Sequence, residues 1–100
     1  MKYILVLQLP EDTFTYDELI EQENIFISGL KGFATIDGHD VGVGEINYFV
    51  HTDNVKVAFE KIQPLLKDKA KSVLKAAYRT IKGEKYHIIY PPNLTSFCIS

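Results

Sequence analysis

The order of strand-like and helix-like segments is the feature that most constrains the fold of this chain. Runs rich in β-branched and aromatic residues lie at 2–9, 33–39, 45–51 and 85–90. Apolar residues at helical spacing follow the first run and the third. This βαββαβ order predicts an α+β, ferredoxin-like split βαβ sandwich, in which two helices cover one face of an antiparallel sheet. The other face is left to water, to a partner or to the C-terminal tail.

The start of the first helix carries a local signal. Thr15 and Glu18 have the spacing of a capping box, in which each side chain accepts a hydrogen bond from the backbone amide of the other residue. Apolar residues then recur every three or four positions, so we expect a helix from about 15 to 30. Asp53 is expected to cap the second helix.

The stretch 70–81 has two interpretations. An apolar stripe fits a helix, whereas 76–81 also fits a strand that turns back into the strand at 85–90. We favour the strand pair, which adds a C-terminal hairpin strand to the sheet. A Pro-Pro step then ends regular structure, so we expect a single domain over 1–92 and a tail over 93–100 that lies along a sheet edge.

Composition limits the classes of function. The net charge of −2 provides no long-range positive field, so we expect no nucleic-acid binding. The single cysteine, Cys98, fits a reducing compartment and predicts a cytoplasmic location. No stretch approaches the roughly 20 apolar residues that cross a bilayer, so no membrane association is expected. Acidic residues concentrate at 11–23 and basic ones at 67–82, which predicts two charged faces that are solvated or meet a charged partner.

The glycine-bearing segment 37–47 is the part of the chain densest in polar chemistry. We expect a wide hairpin loop whose Gly and Asp residues serve chain reversal. The alternative is a ligand-binding role for four of its side chains, His39, Asp40, Glu45 and Asn47. One imidazole is too few for an ordinary zinc site, and the spacing does not match a calcium loop, so no metal or cofactor is predicted. Its last two glycines run into a strand rather than a helix, which argues against a dinucleotide site.

The third strand presents candidate interface residues. Phe49 and His51 share a face with Asn47, and this face has no cation to accompany the aromatic ring, which argues against RNA recognition. We therefore interpret Phe49 and His51 as candidates for contact with a protein. Because no Ser, Cys or Lys has the setting of an activated nucleophile, no catalytic residue is predicted.

The segment Asp37-Gly38-His39-Asp40-Val41-Gly42-Val43-Gly44-Glu45-Ile46-Asn47-Tyr48-Phe49, with Thr52-Asp53, Ala77-Tyr78-Arg79 and Tyr86, resembles a small family of uncharacterised bacterial proteins. The resemblance implies a compact ferredoxin-like domain and the strand interpretation of 76–81. It implies no activity.

Two hypotheses of function follow. The first is a non-catalytic protein-binding or regulatory, immunity-type module that meets another protein or a second copy of itself. The second is a small enzyme or a metal- or ligand-binding protein that uses the segment 37–47.

Overall fold

The computed structural model describes residues 2–99 and contains five β-strands and three α-helices within them. The strands are β1 (Tyr3–Pro10), β2 (Thr35–Gly42), β3 (Glu45–Thr52), β4 (Lys75–Thr80) and β5 (His87–Tyr90), and the helices are α1 (Tyr16–Gly29), α2 (Val55–Ile62) and α3 (Asp68–Lys71). Short 3-10 turns at Glu11–Thr13 and Gln63–Leu65 precede α1 and follow α2.

The strands form one antiparallel sheet in the order β2-β3-β1-β4-β5. The chain is therefore an α+β fold whose antiparallel sheet has five strands, including the additional C-terminal hairpin strand, and the four-stranded βαββαβ topology is not confirmed. The strand expected at 85–90 to complete that plan is β5, which lies at an edge and pairs only with β4. β4 lies beside β1 instead, so the strand interpretation of 76–81 is confirmed and the helical one is wrong.

Strand β1 lies at the centre of the sheet and is covered on both faces. Leu5 and Leu7 belong to the core cluster under the helices, with no exposed surface. Val6 and Gln8 point to the opposite face, since side chains alternate along a strand, and they are also buried. This burial explains why the sequence of β1 shows little alternation between apolar and polar residues.

The helices share one face of the sheet, and the capping box of α1 is confirmed. The Thr15 hydroxyl accepts from the Glu18 amide at 3.2 Å, and the Glu18 carboxylate accepts from the Thr15 amide at 2.9 Å. Leu19 and Phe26 of α1 pack into the same cluster as Ile62 of α2. Among residues 2–99, no helix is long and apolar enough to cross a membrane.

The cap of α2 corrects the prediction for Asp53. Asn54 is the N-cap, and its side-chain oxygen accepts from the Val57 amide at 3.1 Å. Asp53 instead accepts from the backbone amide of Lys2 at 3.0 Å, across the start of the neighbouring strand. Both residues are good caps, so the local sequence could not choose between them.

The acidic and basic runs meet each other and do not form two separate faces. Lys67 pairs with Glu21, and Lys69 pairs with Glu18, which joins α1 to the segment around α3. The hydrogen bond from Lys69, followed by the backbone bond at Thr15, lowers the pKa of Glu18 to about 2. Part of the acidic run is thereby neutralised within the fold.

Candidate functional site

The segment 37–47 is mostly strand and not the wide loop that its glycines predict. β2 continues to Gly42 and β3 begins at Glu45, so only Val43 and Gly44 form the turn. Their φ values are +51° and +82°. Positive φ at both central residues is the backbone of the tight hairpin turn whose twist matches that of the flanking strands. Chain reversal therefore uses only two residues, and residues 39–42 and 45–48 on either side of the turn pair with each other in the sheet.

A bulge interrupts β2 before this regular hairpin. The register with β3 shifts between Ile36 and His39, and Gly38 takes a φ of +91° at the shift. Such bulges bend a strand and re-aim its side chains. Beyond the bulge, His39 pairs with Tyr48 and the ladder runs without a break to the turn.

The hairpin does not bring the four candidate ligand residues together. His39 pairs with the core residue Tyr48 and so points to the helix side, whereas Asp40 pairs with Asn47 on the opposite side. Asn47 is buried, and its side-chain oxygen accepts from Gln8 Nε2 at 3.0 Å. Glu45 lies next to the turn, opposite Gly42. Within residues 2–99, no group of three or more His, Cys, Asp or Glu side chains is arranged to hold a metal ion.

On the helix side, His39 has a partner that the sequence pattern does not reveal. Its Nδ1 lies 2.9 Å from Glu23 Oε2, and these side chains are 27% and 15% exposed respectively. The neighbouring Tyr48 hydroxyl donates to the Leu19 carbonyl at 2.8 Å. Burial, with a smaller contribution from the Glu23 charge, raises the pKa of Tyr48. Only the packing of α1 on the hairpin could reveal the contact between Glu23 and His39, because the two residues are 16 positions apart.

A cavity of about 500 Å³ lies between the hairpin and the start of α1. His39 lines it, and so do Glu11, Phe14, Leu19, Tyr16 and Val41. Beside it, three large side chains are exposed: Tyr16 at 71%, Val41 at 43% and Val43 at 78%. We call these three residues the hairpin-tip patch. It is an apolar surface at one end of the sheet.

Five acidic residues lie within five positions of the hairpin-tip patch residues along the chain. We call them the acidic rim: Glu11, Asp12, Asp17, Asp40 and Glu45. In the part of the chain that the structure describes, none of them forms an ion pair. Glu11 and Asp40 belong to residues that line the cavity itself. The ammonium of Lys69 lies 5.7 Å from the centre of the Phe14 ring at this cavity, but it pairs with Glu18 and not with the acidic rim.

The backbone of β2 has a free edge beside this patch. Between residues 2 and 99, β3 is the one strand that pairs with β2. In a two-residue hairpin the residues that flank the turn, Gly42 and Glu45, form a hydrogen-bonded pair, and such pairs alternate with non-bonded ones. The amide and carbonyl groups of His39 and Val41 therefore point away from β3, toward the open edge.

The sheet face opposite the helices is partly covered by the C-terminal tail. Gln8 Nε2 donates to the Cys98 carbonyl at 3.0 Å, and the ring of Phe97 lies 5.3 Å from that of Tyr86. Since Gln8 belongs to the central strand, the tail crosses the sheet and does not lie along its edge. Val6, on the same face, has no exposed surface.

The two candidate interface residues lie on this partly covered face. Phe49 is half-buried and pairs with Val6, while His51 Nε2 lies 3.2 Å from Asp37 Oδ2. Their role in association stays a prediction.

Comparison of the chain with family models, curated proteins and solved structures finds no match. The resemblance to a small bacterial family therefore stays a prediction.

Proposed function

We propose that this chain is a non-catalytic protein-binding module that pairs an extended segment of its partner with the free edge of β2. The observation that carries the proposal is the conformation of Val43. This residue is β-branched and 78% exposed, yet it has a φ of +51°. Strained backbone of this kind costs about 1–3 kcal/mol and is concentrated at functional sites. A hairpin turn alone is better served by Asn or Gly.

The free edge supports main-chain pairing. The outward backbone groups of His39 and Val41 offer hydrogen bonds to an added strand, and the hairpin-tip patch offers apolar contact beside them. The bulge at Gly38 limits the usable edge to the four residues 39–42, because a bulge disrupts ladder pairing. The partner segment is therefore short.

Charge favours a different protein over a second copy of this chain. Symmetric pairing of two β2 strands would bring together two acidic rims, and like charges across an interface are unfavourable. A segment that combines basic and apolar side chains complements the surface. A regulatory or immunity-type role is a form of this proposal, in which the module blocks the segment that it binds.

Two further statements belong to the proposal. We infer that β1 to β4 with α1 and α2 follow the ferredoxin-like plan and that β5 is an addition to it. We also infer that the chain works in the cytoplasm, where the free thiol of Cys98 stays reduced.

The test selects binders from a library of random blocked nonapeptides with the full chain as bait, and maps the binders by amide NMR shifts. We expect shifts at His39, Val41 and Gly42. Val41→Pro removes an amide that points outward, so it is expected to abolish binding while the fold persists, because proline is tolerated on that side of an edge strand. Val41→Thr keeps the amide and is the matched control. Binders that shift only Phe49 and its neighbours, or a library without binders, would contradict the proposal.

A second function is supported by the pair formed by His39 and Glu23. In the tautomer that donates from Nδ1 to Glu23, His39 has a lone pair on Nε2, and His39 is one of the residues that line the cavity. This arrangement suits a small-ligand site or a general base. A small molecule from a thermal-shift panel that raises the melting temperature of the chain, but not that of His39→Asn, would support it. Unchanged melting across the panel and with divalent metals would count against it.

A further inference from the structure

We propose that the cavity under the hairpin receives the side chain of a lysine in the paired segment. This inference rests on the proposed function and names the partner residue that gives it specificity.

Strand geometry directs one partner side chain over the cavity. Residues directly opposite each other in an antiparallel pair have side chains on the same face, with Cβ atoms roughly 4.5–5.5 Å apart. His39 and Val41 present their outward backbone to the added strand, and both residues line the cavity. The partner residue opposite either of them therefore projects over the cavity, on the helix side of the sheet.

The walls of the cavity suit a long side chain with an apolar stem. Phe14 and Leu19 form its buried floor, with Val41 and Tyr16 as exposed walls. A lysine buries its four methylene groups along such a surface and keeps its ammonium group in water. A short side chain would leave the space unfilled.

The charge at the cavity favours a cation at the end of that stem. Glu11 lines the cavity, is exposed and has no ion pair within residues 2–99, and none of the lining residues is Lys or Arg. The positive end of α1 lies nearby, but the capping box satisfies the amides of Thr15 and Glu18, and Asp17 adds a negative charge in the first turn. Arginine gains most from a carboxylate that it can bind with both arms in a fixed plane, whereas a lysine ammonium acts as a point charge and suits a single flexible Glu11.

The test is a thermodynamic cycle on the full chain. Lysine-containing nonapeptides from the library are compared with versions that carry norleucine, on the unaltered chain and on Glu11→Gln. Each single change is expected to weaken binding roughly two- to five-fold, as for a partly exposed ion pair. The two changes together are expected to cost little more than one alone, because they remove the same contact. Asp12→Asn removes an equal charge from outside the cavity and is the matched control.

Three outcomes would overturn the inference, and they are distinct from failure of the proposed function. Norleucine peptides that bind as tightly as lysine peptides, and still change the amide NMR shifts of His39 and Val41, would refute the lysine site. Pairing with the edge of β2 would then still stand. Equal losses from Asp12→Asn and Glu11→Gln would show a diffuse field and no specific contact. If n-butylammonium alone changed the amide NMR shifts of Tyr16 and His39, and peptide affinity did not depend on lysine, the cavity would be a site for free amines and not for a peptide side chain. Failure of every peptide to bind at the edge of β2 would instead refute the proposed function itself.

Discussion

Val43→Asn is expected to make the protein more stable and a weaker binder. Val43 has a φ of +51°, a conformation that is unfavourable for valine and destabilises the folded state. Its side chain is 78% exposed, so burial contributes little to offset this cost. The left-handed conformation costs an ordinary L-residue about 1–2 kcal/mol, and Asn tolerates it better than Val. We expect the free energy of unfolding to rise by about 1 kcal/mol. For a domain near this size, that corresponds to a melting temperature higher by about 4–8 °C.

Thermal melts followed by circular dichroism, with urea unfolding at one temperature, measure this change. The matched control is Val73→Asn, at a valine that is 38% exposed and has no positive φ, where we expect no gain. A melting temperature for Val43→Asn equal to or below that of the unaltered chain would refute the strain argument. Unchanged affinity of Val43→Asn for the selected peptides would refute the use of that strain in binding.

Two further predictions concern the contacts that hold α1. Gln22 is fully buried and joins α1 to the segment before α3, accepting from the Lys67 amide and donating to the Leu65 carbonyl, each at 2.9 Å. Gln22→Leu leaves both backbone groups unpaired and should lower the urea-derived free energy of unfolding by about 2–4 kcal/mol; a loss below about 1 kcal/mol would mean that water replaces the side chain. Glu18 has a pKa lowered from 4.5 to about 2, chiefly by Lys69, so its stabilisation is present above pH 4.5 and is lost as the pH falls toward 2. Glu18→Gln should therefore lower the melting temperature at pH 6 and flatten its fall between those pH values; parallel melting curves for the two proteins would contradict this.

Local signals in the sequence predicted the local parts of the fold. The capping box at Thr15 and Glu18 lies within four residues, and it marked the start of α1 correctly. The strand character of 76–81 was also readable from its residues, which form β4. The cap at Asp53 was assigned wrongly because the choice between Asp53 and Asn54 depends on Lys2, which precedes β1 and is 51 positions away from Asp53.

The candidate site could be predicted only in part. Its glycines and acidic residues drew attention to 37–47, but the same residues suggested a loop, because Gly and Asp are depleted in strands. No local pattern predicts positive φ at Val43, and the two-residue turn requires this conformation at both of its central residues. The contact of His39 with Glu23 and the cavity beside it depend on how α1 packs across the hairpin. The path of the tail over Gln8 likewise depends on tertiary packing.

Hydrogen exchange at the amides of β2 tests the central claim most directly. In the free chain, the amides of Asp40 and Gly42 should be protected by β3, while those of His39 and Val41 should exchange fast because they point to the open edge. With the selected nonapeptides present, His39 and Val41 should become protected. Protection of His39 and Val41 without any peptide, or peptide binding that leaves both amides exchanging fast, would contradict the account.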